Sequence, residues 1–235
     1  MKGKRFYISF GKDKIAADII GTSTPSVLCL HGGGLDANRS RFQLIRQQLA
    51  TNGVSSLAFD FVGFGESSGE ISAASLSSRV EQVKTIINTK HFKQPPSIIA
   101  SSMSGYVAIK SAESQKIENI ILIAPAIYTK KSYKVLFGPE FTKLIRRPDS
   151  WRDSDAWKTL SNYYGNLLVF EAENDQIIPH EVIDLIYDSA QRAAFKRRIV
   201  IKSATHPLIA WINKHPSHRK LIVDEILRLI YSPAS

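Results

Sequence analysis

Short apolar runs rich in β-branched residues recur along the chain, separated by stretches with the 3.6-residue spacing of amphipathic helices. FYISF (6–10) and KIAADII (14–20) alternate well enough to predict an opening antiparallel pair joined at Gly11-Lys12-Asp13. VLCLHG (27–32), VSSLAFD (54–60), PSIIAS (96–101), IENIILIAP (117–125), NLLVFEA (166–172) and RRIVIKS (197–203) predict short buried strands. Helices are predicted over 38–53, closed by Gly53, and over 75–90, 103–115 and 180–193, with a terminal helix running through EILRLIY (225–231). Strand and helix alternate almost throughout, which predicts an α/β fold whose mostly parallel central sheet is covered by helices on both faces.

One interval breaks the alternation. Residues 128–165 carry no strand pattern, and loops that long inside a compact domain are usually functional or hold extra helices. The chain of 235 residues is accordingly read as one domain, 1–235, with 127–165 as a lid or cap insertion.

Composition narrows the class. The apolar and charged fractions are those of an ordinary globular protein, and no apolar run reaches the roughly 18 residues a membrane span needs. MKGKRFYISFGKDK has the charge of a signal peptide without the apolar segment that would follow it, so a cytoplasmic protein is expected. The lone cysteine, Cys29, lies inside an apolar run, rules out an internal disulfide and suits a reducing compartment. The net charge of +10 thickens at 130–147 and again at 196–198 and 218–220. A solvated basic surface is the ordinary reading, with a weak attraction to anionic surfaces compatible with it. No nucleic-acid motif accompanies the charge, and no nucleic-acid partner is expected.

In an open parallel sheet, chemistry gathers at the carboxyl ends of the strands. HGGG, FVGFGESSG, SSMSG, ENDQIIP and THP follow the successive strand patterns there, so potential catalytic residues come in the chain order Ser, Asp, His. GFGESSG has glycine spacing G-x-G-x-x-x-G, which departs from the dinucleotide fingerprint, and no metal-ligand cluster is visible. Neither cofactor nor metal is implied.

These segments together resemble the α/β-hydrolase superfamily over nearly the whole chain. That family's nucleophile sits on a sharp strand-to-helix turn of the form small-x-nucleophile-x-small, because side chains two residues either side must not collide. Ala100-Ser101-Ser102-Met103-Ser104 fits, with Ala100 and Ser104 replacing the usual glycines and Gly105 allowing the helix to pack close to a strand. Centring the frame on Ser104 would put Tyr106 in a small position, and centring it on Ser101 would put Ile99 and Met103 there.

The resemblance implies Ser102 as nucleophile, His206 as base and Asp175 as the acid that orients it, with Glu173 as fallback acid. Among the other histidines, His31 matches a structural position, while His91, His180, His215 and His218 lie in or beside helical runs. HGGG implies the oxyanion segment, with donors from the backbone of Gly33 and Met103. Gly34 enters as a further contact, and Tyr128, Tyr133 and Phe137 are expected to wall the substrate site. DFVGFGESSGE resembles a family loop in which Asp60 and Ser67 are structural.

The activity implied is hydrolysis of a small-molecule carboxylic ester or thioester through an acyl-enzyme. Acyl transfer or peptide cleavage by the same residues, a catalytically silent binding module, and a binder of anionic surfaces are the alternatives compatible with the same sequence.

Overall fold

The computed structural model describes residues 3–34, 36–89, 92, 93 and 95–231. The opening pair forms as expected, β1 (Lys4–Phe10) and β2 (Asp13–Ile20) running antiparallel with Phe10 opposite Asp13. The chain continues through β3 (Val27–Leu30), α1 (Gln43–Thr51), β4 (Ser56–Phe59), α2 (Leu76–Ile87), β5 (Ser97–Ser101), α3 (Ser104–Ser111) and β6 (Asn119–Ile123). Then come α4 (Pro139–Ile145), α5 (Ala156–Ser161), β7 (Asn166–Ala172), α6 (His180–Ser189), β8 (Phe195–Ile201), α7 (Leu208–Lys214) and α8 (Pro216–Tyr231).

One sheet of eight strands results, in the order β1-β2-β4-β3-β5-β6-β7-β8. From β4 to β8 all neighbours are parallel, and β2 meets β4 antiparallel. β3 to β7 are almost wholly buried because both faces are covered. The period-2 alternation of strand side chains divides the core in two. Leu28, Leu30, Ile98, Ala100 and Leu122 pack with residues of α2, α3, α5 and α6, whereas Val27, Cys29, Ile99, Ile121 and Ile123 pack with α1, α7 and α8.

Several boundaries differ from the sequence pattern. The segment 38–53 divides into a tight 3-10 turn, Arg39–Phe42, followed by α1. The helix expected to reach residue 90 ends at Ile87, and Lys90 lies outside the described residues. The terminal helical region is two helices, because Pro216 lacks the N–H that would continue α7 and opens α8 instead. The interval 127–165 holds α4 and α5, and its backbone is tied to the body where Ser77 donates to the Tyr133 carbonyl and Phe137 donates to the Ala74 carbonyl. Asp155, at the start of α5, accepts from Tyr106 Oη and Lys110 Nζ of α3, each at 2.7 Å. No helix among the described residues is long and apolar enough to cross a membrane.

Candidate active site

A strained turn follows β5. Ser102 has φ +50, a left-handed conformation that costs a non-glycine residue of order 1–3 kcal/mol and persists only where its surroundings over-determine it. Here they do. The Ser102 N–H donates to the Ile123 carbonyl, while its own carbonyl accepts from Gly105 and Ala126. Gly105 lets α3 start against the chain after β6, since a Cβ there would lie 2.6 Å from Pro125 Cβ.

Three loops converge on this turn. Ser102 Oγ is 2.9 Å from His206 Nε2, and His206 Nδ1 is 2.8 Å from Asp175 Oδ2. The other Asp175 oxygen accepts from the N–H groups of Ile177 and Ile178, both at 2.9 Å. Burial acts to raise the Asp175 carboxyl, but the hydrogen bonds from His206, Ile178 and Ile177 together hold it below its ordinary range. An ionised Asp175 accepting at Oδ2 leaves the hydrogen of a neutral His206 on Nδ1 and a free lone pair on Nε2 facing Ser102. Glu173 points elsewhere, bonded to Lys202 Nζ at 2.6 Å and to the Ser203 N–H at 2.7 Å.

The glycine loop after β3 lies beside the turn: a Cβ on Gly32 would sit 3.2 Å from Ser102 Cβ, and one on Gly33 would sit 3.2 Å from Met103 Cε. Among the described residues, the N–H groups of Gly33 and Met103 meet no protein acceptor. His31 anchors the loop from below. Its Nε2 accepts the Phe61 N–H, so Nδ1 carries the hydrogen and donates to the Gly32 carbonyl at 3.0 Å. Burial, reinforced by the Arg79 charge, pushes the His31 imidazole down to about 3. Asp60 and Ser67 brace the neighbouring loop: the buried Asp60 carboxylate accepts from the N–H groups of Arg39 and Glu66, and Ser67 Oγ donates to the Asp60 carbonyl.

A cavity of about 500 Å³ opens at Ser102 and His206, lined by the glycine loop including Gly34, by Arg41 and Phe42, and by Pro207, Ile209, Ala210 and Asn213. Tyr128, Tyr133 and Phe137 are not among its lining residues; they form an aromatic cluster with Tyr106 and Phe141 beside Arg79. The wall from α7 escaped the sequence pattern because LIAWINK is too short for a helical period to stand out. Arg79 escaped it as a charged residue in an exposed-looking helix, although it lies three residues after Leu76 and four before Val83 on the apolar stripe. Of the remaining histidines, His180 pairs with Glu171, His215 stacks on Trp211, and His218 accepts from Trp211 Nε1. His91 lies outside the described residues. Among the described residues, no group of three or more His, Cys, Asp or Glu side chains could hold a metal ion.

The sheet order, the strained turn after β5 and the loops meeting on it define an α/β hydrolase. Residues 22–151, more than half of the chain, match the family described as serine aminopeptidase, S33, and the chain belongs to that family of α/β hydrolases. Solved structures share the fold at low identity. A thioesterase domain from the curacin biosynthetic pathway matches with TM-score 0.71 and 18% identity, covering 95% of this chain and 100% of that one. An esterase from Exiguobacterium antarcticum matches with TM-score 0.72 and 17% identity over 94% and 98% of the two chains. Mouse alpha/beta hydrolase domain-containing protein 10 matches with TM-score 0.69 and 17% identity over 98% and 100%. No curated protein matches the sequence.

Proposed function

We propose that this hydrolase is a serine esterase that cleaves a carboxylic ester or thioester through an acyl-enzyme. The observation that carries the reading is the unbroken hydrogen-bond chain from Ser102 Oγ through His206 to Asp175. His206 Nε2 takes the hydroxyl proton as Ser102 Oγ attacks the carbonyl carbon, and the carbonyl electron pair moves onto oxygen. The N–H groups of Gly33 and Met103 receive that oxyanion; loss of one such donor typically lowers kcat by about 10²–10³. Collapse expels the alcohol or thiol, which leaves with the proton that His206 returns. A water deprotonated by His206 then attacks the acyl carbon, and the second collapse restores the Ser102 hydroxyl and releases the acid. Throughout, Asp175 orients the imidazole and stabilises its cation.

An acyl group seated at Ser102 meets Phe42, Ile209 and Ala210 in the cavity. In this reading residues 127–165 are the lid insertion beside the site, anchored to the body by the packing of Tyr128 and Tyr133 on Tyr106. The buried, unpaired Cys29 suits a reducing compartment, and we place the enzyme in the cytoplasm.

The family description favours aminoacyl amides as a second substrate class. A panel of p-nitrophenyl esters, thioesters and aminoacyl p-nitroanilides separates the two. The primary test is peptide mapping after exposure to a fluorophosphonate, for the wild type and for Ser102→Ala. One adduct on Ser102, absent from the variant, is expected; a folded protein that takes up no label would overturn the reading and favour a silent fold that binds without reacting.

A further inference from the structure

Arg79 is one of the largest fully buried side chains, 1% exposed, and none of the ion pairs among the described residues includes it. Its guanidinium lies against three phenylalanine rings, 4.5 Å from the centroid of Phe61, 4.8 Å from Phe64 and 5.0 Å from Phe137. Aromatic faces attract a cation but accept few of its five N–H groups. Nε has no hydrogen-bond partner among the described residues. Arg79 makes one hydrogen bond among the described residues, from Nη1 to the Gly32 carbonyl at 3.4 Å. Burial lowers its pKa to about 10, which leaves it cationic at neutral pH. A buried charge held without a carboxylate is costly and calls for a reason.

The reason lies in which carbonyl it touches. The Gly32 C=O and the Gly33 N–H belong to one peptide unit, and in a trans peptide the two point to opposite sides. Two donors converge on that oxygen from the same buried side, His31 Nδ1 at 3.0 Å and Arg79 Nη1 at 3.4 Å. With the carbonyl held by two buried side chains, the Gly33 N–H points to the opposite side of the peptide, and both glycines line the Ser102 cavity. A glycine–glycine linkage has little other restraint against flipping, since neither residue carries a side chain to bias it.

We propose that Arg79 is a positioning residue for the oxyanion donor: it clamps the Gly32 carbonyl, fixes the Gly32–Gly33 peptide with its N–H facing Ser102, and polarises that N–H with an uncompensated charge. The inference rests on the acyl-enzyme reading above, and it concerns the strength of the oxyanion site rather than substrate binding. A carboxylate beside Arg79 would cancel that charge, which accounts for its aromatic surroundings.

The test compares Arg79→Met and Arg79→Lys with the wild type in p-nitrophenyl ester hydrolysis, with melting temperature as a check on folding. For Arg79→Met, kcat is expected to fall by roughly 10- to 100-fold with KM little changed, a partial loss of one oxyanion donor. Arg79→Lys keeps the charge but loses the fixed fork, and an intermediate kcat is expected. The second readout is the preference for an oxoester over its thionoester, which should shrink in both variants because a developing sulfur anion uses oxyanion donors poorly. A purely structural residue would leave that ratio unchanged. Folded variants with unaltered kcat and an unaltered ratio would overturn the proposal, and so would loss of folding in both, which would make Arg79 a structural residue. Wild-type protein that neither hydrolyses the ester nor takes a fluorophosphonate on Ser102 would instead remove the acyl-enzyme reading itself.

Discussion

Ser104 donates its hydroxyl to the main-chain carbonyl of His31 across 2.5 Å, joining the turn after β5 to the glycine loop after β3. In the small-x-nucleophile-x-small frame this position usually holds glycine. A serine fits because it is small, and it adds a buried tie that glycine cannot make. The tie links the segment carrying the Ser102 hydroxyl to the segment carrying the Gly33 N–H.

Ser104→Ala keeps the steric fit and removes the bond. Ser104 is fully buried, so the His31 carbonyl loses a donor that water cannot easily replace. The expected cost is about 1–3 kcal/mol, and each kcal/mol lowers the melting temperature of a chain this size by about 2–4 °C. Calorimetry checks this, and an unchanged melting temperature would mean that the bond contributes nothing net.

Asp175→Asn should lower kcat by on the order of 10⁴, because the amide no longer favours the hydrogen on His206 Nδ1. Glu173→Gln should leave kcat within a few-fold of wild type, since that carboxylate faces Lys202 and the Ser203 N–H. Steady-state hydrolysis by both variants decides between the two acids. The reverse ranking would assign the role to Glu173.

His31 predicts a pH dependence of stability. Its folded pKa is about 3, well below the unfolded value of about 6.5, so between these limits the unfolded chain binds a proton that the folded chain refuses. Stability from this group is therefore flat above about pH 6.5 and falls as the pH drops towards 3. At pH 4.5 the loss is about 3 kcal/mol. Asp175 has a depressed carboxyl, so its contribution is present above the unfolded value of about 3.9 and is lost only as the pH falls below it, outside the interval from pH 7 to pH 4.5. Urea unfolding at pH 7 and pH 4.5 measures the difference. His31→Gln should be less stable at pH 7 but lose less on acidification; equal acid losses in the two proteins would exclude His31 as the source.

The order of elements along the chain was legible in the sequence because strand and helix periods are local. Six neighbouring positions suffice to see a buried strand such as NIILIA (β6 with its following Ala124) between Glu118 and Pro125. Once the family resemblance supplied the small-x-nucleophile-x-small frame, side-chain size chose its centre, since Ala100 and Ser104 fit where Ile99 or Tyr106 would not. Asp175 and His206 stood out by following the last two strand patterns.

Spatial neighbours are another matter, because an apolar run reports that it is buried and not against what. Only the tertiary structure sets β4 between β2 and β3, brings Ser102 within 2.9 Å of a histidine 104 positions away, and turns Glu173 aside from it. The same holds for the seven-residue α7, which walls the cavity although it is too short to announce itself, and for the break at Pro216. Arg79 shows the limit most plainly. Its charge marks it as a surface residue in the sequence, and the fold alone buries that charge among three phenylalanine rings with its hydrogen bond on the Gly32 carbonyl.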